Sequence, residues 1–417
     1  MAHRVSVTVL LASLCLASAC MKLPQNDATE PEAVEAFGFS VATNRELIAV
    51  GAQSRDGSGE SKGSVYLFER QNGAWVAIAE LQANEAIDRD MFNFSIAASD
   101  DTIVVGAQFD EHGGEERGSA YVFERRDGAL REVARLRAGD GAAGDEFGLT
   151  VSVSGETIAV GARLADNIGP DSGSVYVFER RAGRWTEAAK LMASDAAPSD
   201  LFGRPAISGD TIVVGTDFDD DKGENSGSAY VFVRRDGVWQ EVAKLTASDG
   251  AAGDELGISA AISGNALVVG ALGHDGAGKG SGAAYVYERH DETWREVAKL
   301  LARDSASADG LGLSVAVDDD TIVVGALAHE DRAFDAGSAF VFERQNGTWR
   351  EVAKLTASDG AVLEHFGVSV AVSGNTIVVG TEPWDENGEH SDVGAAYVFE
   401  RVAGGWVETA KLTPTRR

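Results

Sequence analysis

The feature that most constrains this chain is a period of about 55 residues. An aromatic residue or leucine followed by a small residue recurs at Phe37-Gly38, Phe92-Asn93, Phe147-Gly148, Phe202-Gly203, Leu256-Gly257, Leu311-Gly312 and Phe366-Gly367, at successive spacings of 55, 55, 55, 54, 55 and 55. Glycine followed by Ala or Thr stays in step at Gly51, Gly106, Gly161, Gly215, Gly270, Gly325 and Gly380. An Ala-Lys-Leu ending marks Lys190-Leu191, Lys244-Leu245, Lys299-Leu300, Lys354-Leu355 and Lys411-Leu412. Seven units in register from 37 to about 413 mean that one supersecondary unit is repeated, so unrelated domains are not required.

Within the third unit, from Phe147 to Ala193, apolar residues alternate with period two and Gly, Ser, Asn and Asp punctuate them. Four strands are expected: A near Leu149–Ser154, B at Thr157–Ala162, C at Ser174–Arg180 and D at Trp185–Leu191. The A–B link is a tight turn such as Gly209-Asp210 or Gly264-Asn265. The C–D link uses Asp127-Gly128, Asp236-Gly237 or Asn346-Gly347, which suit a two-residue hairpin. Four antiparallel strands repeated seven times, with no helical stretch, predict an all-β, seven-bladed β-propeller. A β-solenoid competes, but its coils are usually shorter than this period.

The run from Phe147 through "SVYVFER" resembles the FG-GAP repeat, the blade unit of the integrin α-chain headpiece and of many bacterial secreted proteins. The resemblance covers residues 37–413 and implies the same propeller. Two departures stand out. The proline of Gly-Ala-Pro is replaced throughout, by Gln53, Gln108, Arg163, Asp217, Leu272, Leu327 and Glu382. The Asp-rich calcium loop that the family places between strands A and B is absent, so its calcium sites do not carry over.

The N-terminus reads as an address. Residues 1–19 carry His3 and Arg4, an apolar run from Val5 to Leu16 and a small-residue end at Ala17-Ser18-Ala19, which is the pattern of a secretory signal. Leu16-Ala17-Ser18-Ala19-Cys20 resembles the bacterial lipobox, making Cys20 the lipidation candidate, with plain cleavage after Ala19 as the alternative. The only other cysteine, Cys15, lies in the signal, so no disulfide is expected. Met21 after the cysteine favours the outer membrane by resemblance to Gram-negative lipoproteins, with a secreted or periplasmic protein as the alternative. Residues 20–36 are expected to be an acidic tether, and residues 37–417 the propeller with repeats starting at 37, 92, 147, 202, 256, 311 and 366. Met21-Lys22-Leu23 echoes the Lys-Leu motif, which leaves open whether the ring closes through a shared blade.

A net charge of −30 repels phosphate backbones and anionic lipid, which excludes nucleic acid and limits membrane contact to the anchor. Meander topology puts A–B and C–D turns on one face and B–C loops with D–A links on the other. The loop-and-link face is acidic: Glu35, Asp90, Asp145, Asp200, Asp254, Asp309 and Glu364 stand two residues before each leading apolar residue. These are expected to be a solvated face or turn caps. The opposite face receives an arginine ring from the ends of strand C, with neighbouring glutamates to pair with it. Asp217, Asp219, Asp220 and Asp221 form the densest oxygen-donor cluster and the candidate calcium site. His112, His274, His329 and His390 would have to converge from different blades to hold a transition metal.

No nucleophile elbow appears, and the near-P-loop from Gly273 to Gly280 opens a strand where the motif requires a helix. The expected function is a non-catalytic, monomeric cell-envelope binding or adhesion module presenting loops to a protein or glycan. The alternative is a lipid-anchored polysaccharide hydrolase or lyase using acidic-face carboxylates. Off-pattern residues in the seventh B–C loop make Trp384, Asp385 and Glu386 the contact candidates.

Overall fold

The alternation becomes seven antiparallel sheets, each of four strands consecutive in sequence. The computed structural model describes residues 34–55, 63–83, 91–112, 115–126, 128–329, 335–360, 362–382 and 393–414. Blade 3 is typical, with strands A to D at Phe147–Ser154, Thr157–Ala162, Ser174–Arg181 and Arg184–Leu191. Blade 1 runs from Val34 to Leu81, blade 2 from Ile96 to Leu136, blade 4 from Arg204 to Leu245, blade 5 from Leu256 to Leu300, blade 6 from Leu311 to Leu355 and blade 7 from Ser369 to Leu412. Blade 2 adds a small hairpin, Glu111–His112 with Glu115–Glu116, in its B–C loop. Among the described residues no helix is long and apolar enough to cross a membrane.

Strand B explains the packing. Thr-Ile-Ala-Val-Gly-Ala at 157–162 is buried along its whole length, so both sheet faces are covered by neighbouring blades and an unbroken β-branched run replaces alternation. Phe147, fully buried, shares one core cluster with Val104, Ala120 and Val122 of blade 2 and with Ile158 and Phe178 of its own blade. Its ring meets Tyr176 edge-on at 5.5 Å. Gly148 at φ +97° follows because a Cβ there would lie 2.2 Å from the Ser119 carbonyl oxygen. At Asp236-Gly237 both residues have φ near +50° to +80°, the I′ geometry that the sequence implied.

Strand A is innermost. Its hydroxyls reach the next blade's first strand, as Ser259 Oγ donates to the Gly312 carbonyl at 2.7 Å and Ser314 Oγ to Gly367 at 2.8 Å. The ring closes by the same contact, Ser369 Oγ donating to Gly38 at 2.8 Å, with Phe37 N–H donating to Val393 at 2.8 Å. Among the described residues no strand is exchanged across that seam: blade 1 and blade 7 each hold four strands of their own. The first strand begins at Val34, three residues inside the expected tether, because strand B of this blade extends to Arg55 and pairs Val34, Glu35 and Ala36 with Arg55, Ser54 and Gln53. The signal, Cys20 and Met21-Lys22-Leu23 lie outside the described residues.

On the turn face, a strand-C arginine is clasped by a glutamate of the neighbouring blade in six of the seven blades, all but blade 5. Arg180 meets Glu124 at 2.9 Å, Arg234 meets Glu179 at 3.1 Å, Arg344 meets Glu288 at 2.9 Å, Arg401 meets Glu343 at 2.8 Å and Arg125 meets Glu69. Arg70 closes the circle on Glu400 at 2.9 Å. Such rim pairs are worth about 0–1 kcal/mol each, so they set register more than stability.

Candidate functional site

Four carboxylates of the acidic ring on the link face are turn caps; Asp90 and the Glu35 side chain lie outside the described residues. Asp145, Asp200, Asp254 and Asp309 are all buried, and each accepts the N–H three residues earlier, from Ala142, Ala197, Ala251 and Ala306 at 2.5–2.9 Å. Burial pushes the Asp145 and Asp200 carboxyls up. Glu364 accepts instead from the Tyr397 hydroxyl at 2.9 Å. In the B–C loops, Asp166, Asp220 and Asp275 accept from the N–H five residues on.

In the five links from blade 2 to blade 7 a second carboxylate serves the next blade. Asp140 takes the Tyr176 hydroxyl and the Lys190 ammonium at 2.7 Å each, and Asp249 and Asp359 repeat this with Tyr285 and Lys299 and with Tyr397 and Lys411. The Lys299 hydrogen bond, with help from Tyr285, outweighs burial and holds the Asp249 carboxyl down at about 2.

This arrangement decides where the calcium candidates go. Lys244 Nζ lies 2.8 Å from Asp195, 2.8 Å from Asp219 and 2.7 Å from Asp221, so an ammonium stands where a metal ion would. Asp220 caps its own loop at Asn225, and Asp217 faces another environment entirely. The four aspartates do not converge on one point, and among the described residues no group of three or more His, Cys, Asp or Glu is placed to hold a metal ion. His274 sits on Asp254 at 3.0 Å, and His329 lies near Asp304 and Asp309 at 3.5 and 3.8 Å, each within its own blade. His390, Trp384, Asp385 and Glu386 lie outside the described residues.

The repeat breaks elsewhere. Three positions per unit meet where the innermost strands begin around the axis: the residue before the leading aromatic, the second residue after it, and the one that follows Gly-Ala or Gly-Thr. Over most of the ring they are apolar or neutral, as at Met91, Leu272, Ile258, Leu313 and Leu327, and Phe39 stacks on Phe94 at 5.1 Å. In blades 3 to 5 they are Glu146, Arg163, Arg204, Asp217 and Glu255. Asp217, only 2% exposed, lies 3.3 Å from Arg204 Nε and 3.7 Å from Arg163, which is itself 3% exposed and stacks on Phe218. In the sequence Arg163 stands out only as a replacement for a proline, and Asp217 as that and as a calcium candidate. The usable signal was a run of charge through three adjacent units at positions that elsewhere carry a carboxylate only at Glu382.

A model of the FG-GAP repeat matches seven segments: 27–68, 75–123, 130–178, 185–232, 239–287, 294–342 and 349–399. The chain belongs to the FG-GAP repeat family. Each complete matched segment spans strand D of one blade and strands A to C of the next. No curated protein matches this FG-GAP propeller. Among solved structures it resembles a candidate 6-phosphogluconolactonase from Bacteroides fragilis, at 12% identity and a TM-score of 0.55, covering 93% of this chain and 97% of that one. It also resembles a hypothetical selenium-binding protein from Sulfolobus tokodaii, at 9% identity and a TM-score of 0.54, covering 92% of each. A third is the propeller domain of the Trilobed protease from Pyrococcus furiosus, which has an open velcro topology, at 10% identity and a TM-score of 0.50, covering 90% of this chain and 97% of that one. At these identities the likeness is one of fold alone.

The electrostatics of the FG-GAP sector separate its carboxylates. Burial alone would push Asp217 up, but Arg204 and Arg163 outweigh it and hold the group ionised. Burial pushes Glu255 up to about 7, with Asp217 adding to the push against the two arginines, and burial raises Glu146 as well. Folded protein therefore binds the Glu255 proton more tightly than unfolded chain, and stability is lost as pH rises from about 4.5 through about 7. Glu255→Gln should gain on the order of 2 kcal/mol over the parent at pH 8, after discounting for partial water access, and nothing at pH 4. Urea melts at both pH values check this; equal differences at the two would contradict it.

Proposed function

We propose that this protein is a non-catalytic binding module of the cell envelope, exported and anchored through Cys20, that engages a glycan or protein at the axial mouth of its link face. The observation that carries this reading is the charged sector of blades 3 to 5, the place where a near-uniform ring departs from its own pattern. Its chemistry suits recognition. Asp217 is fixed between two guanidinium groups, and Arg204 is partly open to the mouth with fork-shaped donors that match sugar hydroxyls and carboxylates. Most described carboxylates of this face are engaged as caps or by tyrosine and lysine.

A hydrolase or lyase is the second reading, and Glu255 is what favours it, since a carboxyl titrating near neutrality is what general acid catalysis uses. One experiment separates the two. A panel of neutral and uronic oligosaccharides is screened for binding, and bound sugars are recovered and examined for new ends. A binding module returns them intact, and Arg204→Ala, assayed at a temperature where the variant is still folded, weakens retention at least about tenfold. Cleavage that Glu255→Gln abolishes would establish the enzyme instead. Trp384→Ala belongs in the same panel, and retention of no sugar by the parent would direct the search to protein partners.

A further inference from the structure

The clasp ring of the turn face has one open link among the described residues, at Arg289 of blade 5. In blade 4 two carboxylates serve the equivalent Arg234: Glu179 of the preceding blade, and Asp210 of its own A–B turn, 2.7 Å from Nε. At the corresponding places around Arg289 stand Val233 and Asn265. The positions correspond because Arg289 N–H donates to the Asn265 carbonyl as Arg234 N–H does to Asp210. Both anions are replaced and the cation is kept. Arg289 Nε and Nη2 share the neutral Asn265 Oδ1 at 3.1 and 2.9 Å, and no carboxylate lies within ion-pair distance of it.

The neighbouring tryptophan lacks the same group. At three other seams the clasping glutamate also accepts from indole Nε1–H: Trp185 to Glu124 at 3.2 Å, Trp349 to Glu288 at 3.3 Å and Trp406 to Glu343 at 3.3 Å. Trp294, whose ring lies 5.9 Å beneath the Arg289 guanidinium, has a buried Nε1–H with no acceptor. Trp75 and Trp239 also lack one, but Glu400 and Glu179 are present there and held by Arg70 and Arg234. Val233 ends at its methyl groups, so the Cδ and two oxygens that a glutamate would bring are missing between two donors arranged to receive them.

We propose that the seam between blades 4 and 5 binds a glutamate side chain of an acidic peptide segment in a partner protein. The chain itself shows the occupant, since at six sibling seams this place is filled by a glutamate on an extended strand. A uronate carries its carboxylate directly on a ring, without the two-carbon stem that reaches past the strand. The site lies on the face opposite the axial mouth, so it stands or falls independently of that reading.

The test uses the purified protein with 15N-labelled tryptophan, Trp294 being assigned through Trp294→Phe. The probe is acetyl-Gly-Glu-Gly-amide, with its Gln counterpart and galacturonate as comparisons. A saturable shift of the Trp294 Nε1–H with Kd of about 1 mM is expected for the Glu peptide and none for the Gln peptide. Arg289→Gln should weaken the response at least tenfold, about what loss of a charged hydrogen-bond partner produces. Val233→Glu, compatible with the fold because glutamate stands at six equivalent positions, should shift the Trp294 signal without peptide and abolish the response. No shift with the Glu peptide, an equal shift with the Gln peptide, or undiminished binding by Val233→Glu would overturn the proposal. Tighter binding of galacturonate than of the peptide would overturn it in favour of an acidic glycan.

Discussion

Lys244→Met should cost about 3 kcal/mol and make the protein responsive to calcium. Burial alone would lower the Lys244 ammonium pKa, but Asp195, Asp219 and Asp221 outweigh it and keep the group charged. Removing the ammonium leaves the buried Asp219 facing two carboxylates, with the Tyr230 hydroxyl, 2.7 Å from Asp195 and from Asp219, and the Asp221 N–H, 3.1 Å from Asp219, as remaining donors. Breaking a buried pair costs about 3–5 kcal/mol, and the low end applies because Asp195 and Asp221 are half exposed. Three carboxylates around an emptied point suit a hard cation. Calcium should therefore raise the melting temperature of the variant and leave the parent unmoved. Lys190→Met is the comparison, since Lys190 has one carboxylate partner, Asp140; it should lose less and gain nothing from calcium. A parent that calcium itself stabilises would refute the reading of Lys244 as the resident cation.

Phe147→Ala should cost about 4 kcal/mol in urea unfolding, within the 3–5 kcal/mol range for emptying a phenylalanine site. The ring is fully buried between two blades, and it lies edge-on to Phe178 at 6.1 Å as well as to Tyr176. Each repeat touches only its neighbours, so the damage should reach blades 2 and 3 together and leave blade 5 intact. Hydrogen exchange resolved by blade reads that pattern. A loss below about 1 kcal/mol would mean that the seam collapses onto the vacancy.

The fold was legible because period and alternation are properties of neighbours in sequence. Strand B of blade 3 was expected at Thr157–Ala162 and is found there, and strand D begins at Arg184, one residue before the expected Trp185. The charged sector was not legible, because Glu146, Arg204 and Glu255 lie far apart in sequence and meet only where seven strands converge on an axis. The clasps were half legible: the arginines and glutamates were visible, but Arg180 chooses Glu124 of the preceding blade, a choice fixed by how blades stack. Asp145 and its equivalents had been expected as solvated residues or caps. Asp145, Asp200, Asp254 and Asp309 cap, each satisfying the N–H three residues earlier where the link turns.

The seam between the last blade and the first also bears on how the ring can move. Blade 7 holds blade 1 through Ser369, Gly38, Phe37 and Val393, as any two neighbours hold each other, and among the described residues no strand threads from one into the other. The molecule is therefore a bracelet with a clip and no knot. It can gape at that point without unravelling either end, and deuterium should reach the Phe37 amide through brief openings that leave the strand-B amides at Ile48 and Ile377 untouched.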